Sequence, residues 1–141
     1  MSSVNTMRLN VITPDSIVFS DDIRFVVART GSGDIGILPN HSPLVATLRI
    51  WPVKIEMPNG ETHELAVFGG FIEVNANEVN IVTPNCELPE AIDLDRAKRA
   101  KERAERRLAD KNTNIDIQRA QHALQRAMVR IHVGSGKGLS K

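Results

Sequence analysis

Ile92-Asp-Leu-Asp-Arg96-Ala-Lys-Arg-Ala-Lys-Glu-Arg-Ala-Glu-Arg-Arg-Leu108 places small or apolar residues at Leu94, Ala97, Ala100, Ala104 and Leu108, the spacing of one face of a helix. Ile117, Ala120, Leu124, Ala127/Met128 and Ile131 repeat that spacing further on. Asp93 is placed to cap the first helix, and Asn114 or Asp116 the second. The polar stretch Asp110-Lys-Asn-Thr-Asn114 reads as the turn between two antiparallel helices. Composition changes sharply just upstream. Residues 1–90 hold five basic residues against eleven acids, a net of −6. Residues 91–130 hold eleven basic residues against six acids, a net of +5, with no glycine or proline. An acidic body with a basic helical appendage suggests a component of a larger machine and argues against a self-contained enzyme.

The body reads as strands. Short apolar or β-branched runs recur at Arg8–Thr13, Arg24–Arg29, Leu44–Leu48, Val53–Met57, Glu64–Phe68, Phe71–Val74 and Val79–Thr83. Pro58-Asn59-Gly60 marks a hairpin turn, because Asn-Gly accepts the positive φ such turns need, and Asn75-Ala76-Asn77 serves similarly. Pro52 is expected at a strand start or on an edge, since it cannot donate to a ladder. The fold class is therefore two-domain, β then α: an N-terminal β-sandwich over 1–88, a C-terminal antiparallel two-helix hairpin over 89–133, and a flexible tail over 134–141.

Several function classes are excluded. Gly31-Ser-Gly33-Asp-Ile-Gly36 matches a dinucleotide-binding pattern, but two prolines in Ile37-Leu-Pro39-Asn-His-Ser-Pro43 forbid the helix whose N-terminus would meet the pyrophosphate. The tail Gly134-Ser-Gly-Lys-Gly138 lacks the first glycine of a P-loop, Ile131 standing in that place. The four histidines (His41, His63, His122, His132) show no ligand spacing, and three of them read by default as surface residues. No catalytic set and no metal site emerges. Cys86 has no cysteine partner, which fits a reducing compartment. The chain shows neither a secretory start nor an apolar run near the roughly 20 residues needed to cross a bilayer. The basic half lacks Phe, Trp and Tyr, so it offers no stacking platform for single-stranded nucleic acid, and duplex binding through phosphates alone stays as a remote alternative.

The hairpin carries an energetic message. An alanine seam buries little area, at about 25 cal/mol per Å², so two such helices are marginal alone and must lean on something else or exchange between arrangements. Folding back about Lys111–Thr113 sets Arg96 opposite Arg126 and Arg130. Clustered guanidiniums call for an anion, unless Asp95, Glu102 and Glu105 make the face merely a solvated one.

Gly33-Asp-Ile-Gly-Ile-Leu-Pro-Asn-His-Ser-Pro-Leu44 resembles the signature loop of the epsilon subunits of rotary F-type ATP synthases. Phe68-Gly-Gly-Phe-Ile-Glu-Val74 with Val79-Asn-Ile-Val-Thr83 looks like that family's next strand pair, and the similarity runs from about Met7 to Val133. The resemblance implies no catalysis by this chain. It implies a rotor subunit coupling proton translocation to ATP synthesis, whose sandwich docks on the gamma subunit and the c-ring, with Asp34 and His41 in the c-ring-facing region. The location implied is the cytoplasmic face of the bacterial membrane, peripheral and without insertion. The hairpin would permit ATP hydrolysis when compact and block it when extended into the alpha/beta catalytic head; a purely structural rotor subunit is the alternative.

Some members of that family bind ATP on the compact hairpin through Ile/Leu-Asp-x-x-Arg-Ala, present here as Ile92-Asp93-Leu-Asp-Arg96-Ala97. By the same resemblance Glu87, Arg103, Arg126 and Arg130 join the site. Arg126 and Arg130 would take phosphates, Ile92 and Ala97 would allow close approach of adenine, and Asp93 would accept from the base or only cap the helix. ATP would be a regulatory ligand and no cofactor is required; whether Mg²⁺ accompanies it is left open.

Overall fold

The computed structural model describes residues 5–110 and 116–136. Eight strands come first: β1 Met7–Ile12, β2 Ile17–Ile23, β3 Phe25–Thr30, β4 Gly33–Ile37, β5 Leu44–Glu56, β6 Thr62–Asn75, β7 Glu78–Val82 and β8 Cys86–Glu87. A 3-10 turn at Pro89–Ala91 leads into α1 Leu94–Ala109 and α2 Ile117–Ser135. The strand order is β2-β1-β7-β6-β5-β3-β4, with β8 added to β6.

β5 and β6 dominate the architecture. They pair antiparallel along their whole length, from Leu44 opposite Val74 to Glu56 opposite Thr62. The other partner of β6 changes at Gly69-Gly70: β8 pairs at Ala66 and Val67, β7 from Phe71 to Asn75. Both glycines take positive φ, +86° and +100°. A β-carbon on Gly70 would sit 2.8 Å from Thr83 Cα and 2.9 Å from the Val82 carbonyl carbon, so the strand can bend here only because the side chain is missing. The ladder thus curls into a sandwich around Leu9, Val11, Ile23, Val26, Ile37, Ile55, Leu65, Val67, Ile72 and Ile81.

The strand pattern expected from sequence needs correction at several points. Leu44–Leu48 and Val53–Met57 belong to one strand, as do Glu64–Phe68 and Phe71–Val74. β2 and β4 were hidden, β2 because Ser20-Asp21-Asp22 is polar on an edge strand, and β4 because it holds Gly33 and Gly36. A β-carbon at Gly36 would lie 3.0 Å from the tip of the Phe25 ring, which would have to give way by a few tenths of an ångström. Pro52 is buried inside β5, at neither an end nor an edge. Its missing donor is tolerated where the β3 ladder shifts register, pairing Val27 with Lys54 and next Thr30 with Leu48, which leaves 49–53 without β3 partners. The turns behave as read: Gly60 has φ +90°, and Ala76 and Asn77 have φ +50° and +61°.

Asp93 caps α1, its Oδ1 accepting the Arg96 N–H at 3.1 Å, and Asp116 caps α2 through Arg119 N–H at 3.1 Å. Lys111–Asn114 of the expected turn lie outside the described residues, as do Lys137–Lys141 of the tail. α2 runs through Ser135 and ends at Gly136 in the left-handed region, so Gly134 and Ser135 are helix, not tail. The hairpin seam is the alanine stripe: Ala97 and Ala104 of α1, Ala120 and Ala127 of α2 are all buried.

α2 has a second buried face that the seam alone does not disclose. Val129 and Val133 pack with Ala66 and Phe68 of β6, flanked by Ile50 and Ile92. Along Leu65-Ala-Val-Phe68, Leu65 and Val67 enter the sandwich core, while Ala66 and Phe68 face the helix. The marginal hairpin therefore leans on the sandwich, through the side chains that β5 and β6 turn toward α2.

Candidate functional site

The N-terminal half of α1 forms one wall of a cleft of about 450 Å³. Arg96, Ala97, Ala100 and Arg103 line it at helical spacing, Asp93 and Ala91 close the end, and Glu87 of β8 and Arg130 of α2 stand opposite. The alanines leave the room, and the helix pitch sets Arg96 and Arg103 on one side. Six of the eight residues expected from sequence thus meet: Glu87, Asp93, Arg96, Ala97, Arg103 and Arg130.

Two do not. Ile92 packs beneath α2 in the Phe68 cluster, where a β-carbon on Gly134 would come within 2.9 Å of its Cγ2. Arg126, one turn before Arg130, lines a separate depression with Asp116, Gln118, Arg119 and His122. Arg96 and Arg130 share the cleft, whereas Arg126 does not join them.

Arg130 is held tightly. Its Nε donates to Glu87 Oε1 and its Nη2 to Oε2, each at 2.9 Å, and its guanidinium carbon lies 4.6 Å from the Phe68 ring centre. Asn85 Nδ2 donates to the same Glu87 Oε2 at 3.1 Å. Glu87 thereby neutralises Arg130. Arg96 and Arg103 make no ion pair among the described residues; of the two acids lining the cleft, Glu87 is taken by Arg130 and Asp93 is committed through Oδ1 to the helix cap. The cleft keeps an excess of positive charge and unspent guanidinium donors, which suits an anion with several oxygens.

A second groove of about 500 Å³ opens between the sheet and the N-terminal half of α2, lined by Arg29, Arg49, Trp51, Gln121, His122 and Gln125 among others. Arg29 lies 3.9 Å over the Trp51 ring, and Gln125 Nε2 donates to the Ile50 carbonyl at 3.2 Å. It gathers none of the expected ligand-binding residues.

Asp34 and His41 are each engaged locally. Asp34 accepts from Arg29 Nε at 2.8 Å and Nη2 at 3.2 Å. That hydrogen bonding, helped by a lesser attraction between the charges, holds the carboxyl below its ordinary range against the opposing effect of burial. His41 Nδ1 contacts the Ser42 carbonyl at 2.7 Å, and the loop is tied to the β6–β7 turn by Asn40 N–H donating to Asn77 Oδ1 at 2.8 Å.

Sequence reasoning missed His132, taken by default as a surface residue. It is buried at the last turn of α2, with Nε2 2.7 Å from Glu64 Oε2. Phe68 and Asn85 were missed too. The continuous apolar run Leu65-Ala-Val-Phe68 was the signal, because a strand with one wet face alternates. Among the described residues, no His, Cys, Asp or Glu group could hold a metal ion, and no helix is long and apolar enough to cross a membrane.

Comparison with known proteins agrees with this division of the chain. The family described as the ATP synthase delta/epsilon chain, beta-sandwich domain, matches residues 6–89, and the long alpha-helix domain of the same chain matches residues 90–134. The ATP synthase epsilon chain of Desulforamulus reducens is 43% identical over 126 residues, covering 89% of this chain and 95% of that one. That of Bacillus velezensis is 45% identical over 130 residues, covering 92% and 98%. Among solved structures, a chain of the Euglena gracilis mitochondrial ATP synthase shares the fold, with a TM-score of 0.76 at 24% identity over 89% of this chain and 79% of that one.

Proposed function

From the premise that this chain belongs to the epsilon chains of the ATP synthase delta/epsilon family, we propose that it is a non-catalytic central-stalk subunit whose hairpin reports ATP level. The sandwich docks on the gamma subunit and the c-ring, with Asp34 and His41 on the c-ring side, at the cytoplasmic face of the bacterial membrane. The complex couples proton translocation to ATP synthesis. The hairpin, docked as described above, permits ATP hydrolysis; released and extended into the alpha/beta head, it blocks it.

The observation carrying the sensor reading is the cleft in which Arg96 and Arg103 of α1 face Arg130 of α2 across Asp93 and Ala97. Arg130 belongs to it because α2 is docked on β6 and β8, so a ligand held there favours the docked hairpin over the extended one. The phosphates lie toward the arginines, and Ala97 and Ala100 leave space for the flat base. Arg126, four residues before Arg130, is recruited by rotation of its side chain once an anion enters the cleft mouth.

Charge-assisted hydrogen bonds contribute roughly 1.5–3 kcal/mol each. Association costs at least about 4 kcal/mol. The balance corresponds to dissociation constants from about micromolar to millimolar. Calorimetric titration of ATP into the full chain, beside Arg96→Ala and Arg130→Ala, tests this. Saturable binding that both variants weaken supports the sensor, and no heat up to millimolar ATP removes it. Hydrolysis by the reconstituted head with a chain ending at Glu90 tests inhibition: a rise supports it, and unchanged hydrolysis with intact assembly overturns it.

A further inference from the structure

We propose that Phe68, with Asn85 behind it, positions Arg130 for the ligand of the cleft, so that the strand carrying the hairpin also tunes its affinity. The inference rests on the nucleotide reading above and deepens it.

Arg130 enters the cleft from α2, yet everything that orients its head group comes from the sandwich. The Phe68 ring covers one face of the guanidinium at 4.6 Å. The Glu87 carboxylate occupies Nε and one NH2 hydrogen. Of five guanidinium N–H donors, three remain for the cleft that Arg130 lines. Glu87 is itself steadied by Asn85 Nδ2, and the Asn85 carbonyl accepts the Phe68 backbone N–H at 3.2 Å. Phe68, Asn85 and Glu87 are thus one stitched unit at the β6–β8 edge.

A ring over a guanidinium attracts the cation through its quadrupole and keeps water from that face. Both effects fix the plane in which the free N–H groups lie. Without the ring, Arg130 would keep its pairing with Glu87 but would swing about that edge. Phe68 also packs on Val129 and Val133, so simple truncation would confuse positioning with loss of helix docking. The test must alter the ring's electrostatics at nearly constant shape.

Replacing Phe68 in the full chain by 4-fluoro-, 3,5-difluoro- and 3,4,5-trifluorophenylalanine does this. Two readouts are taken on each protein: the ATP dissociation constant and the Nε–H resonance of Arg130 without ligand. The expected result is a stepwise weakening of ATP binding, reaching about three- to tenfold at three fluorines, with the Nε–H signal moving in the same order. Asn85→Ala, at an exposed side chain, is expected to weaken binding roughly two- to tenfold by freeing Glu87, and Asn85→Gln to restore part of it. If the unmodified chain binds ATP but affinity stays flat across the series, Phe68 acts by packing alone and the proposal falls. If the unmodified chain binds no ATP, the nucleotide reading falls and takes the ligand role with it. The Nε–H series then decides separately whether Phe68 orients Arg130, a static signal excluding even that.

Discussion

Nε2 of His132 lies 2.7 Å from Oε2 of Glu64, tying the last turn of α2 to β6 beside the Val129 and Val133 contact. A carboxylate only accepts, so Nε2 carries the hydrogen and donates it. The other ring nitrogen, Nδ1, is buried with no hydrogen-bond partner among the described residues. This histidine therefore depends on Glu64 for the one bond it makes through its ring. Glu64→Ala should cost about 1–3 kcal/mol by leaving the buried N–H unpaired as well. Glu64→Ala combined with His132→Leu should cost less than Glu64→Ala alone, since no polar group is then stranded. Hydrogen exchange of the last two turns of α2 measures both; a double variant worse than the single one would show that His132 supports docking apart from Glu64.

Gly70 and Gly60 both have positive φ, yet their substitutions should differ sharply. Gly60 faces open space, so Gly60→Ala pays only backbone strain, about 1–2 kcal/mol. At Gly70 the new β-carbon would also collide with the Val82–Thr83 backbone at the end of β7, a strand paired on both sides that cannot rotate away. Gly70→Ala should cost at least about 3 kcal/mol. Thermal melts of the two variants give the comparison, and equal melting points would refute the account of the β6 bend.

Much of this was legible, for identifiable reasons. Helix period, the Asp93 cap, the Asn-containing turns and the alanine seam are local features and read directly from residue order. The motif residues Asp93, Arg96 and Ala97 and the arginine Arg103 fall on one helix, so their convergence follows from pitch. What stayed hidden depends on contacts distant in sequence. Pro52 looked like a strand end because its tolerance comes from a register shift in β3, far from it in sequence. Ile92 and Arg126 were expected at the ligand site by resemblance to a family motif, which says nothing of the neighbours each side chain meets in the docked hairpin. His132 was taken for a surface residue because its partner, Glu64, lies 68 positions away.

Cys86 offers a pH test with a defined sign. Burial, and then the negative charge of adjacent Glu87, push its thiol from 9.0 up to about 12. In the unfolded chain the thiol ionises near 9, while in the folded chain it stays protonated. The unfolded state is therefore favoured progressively as pH rises from about 9 toward 12, and the effect is absent below that window. Denaturant titrations from pH 7 to 11 should show wild type losing stability faster than Cys86→Ala above pH 9, with parallel curves below. At pH 8 the native thiol should resist iodoacetamide until denaturant is added.

The α2 docking face allows hairpin release to be separated from damage to the sandwich. Val129 is fully buried and joins the Phe68 cluster, whereas the sandwich core draws on the opposite face of β6 through Leu65 and Val67. Val129→Asp puts an unpaired charge between helix and strand, costing about 3–5 kcal/mol in the docked state, and the helix escapes that cost by leaving. The melting of the sandwich should stay near that of the wild type, while hydrogen exchange along α2 rises sharply. In the assembled synthase, a hairpin that blocks the head when released should lower ATP hydrolysis, and added ATP should restore it less than in wild type because docking is the step impaired. Hydrolysis that stays at the wild-type rate, with α2 shown to be free and the complex intact, would mean that release and inhibition are unconnected in this chain.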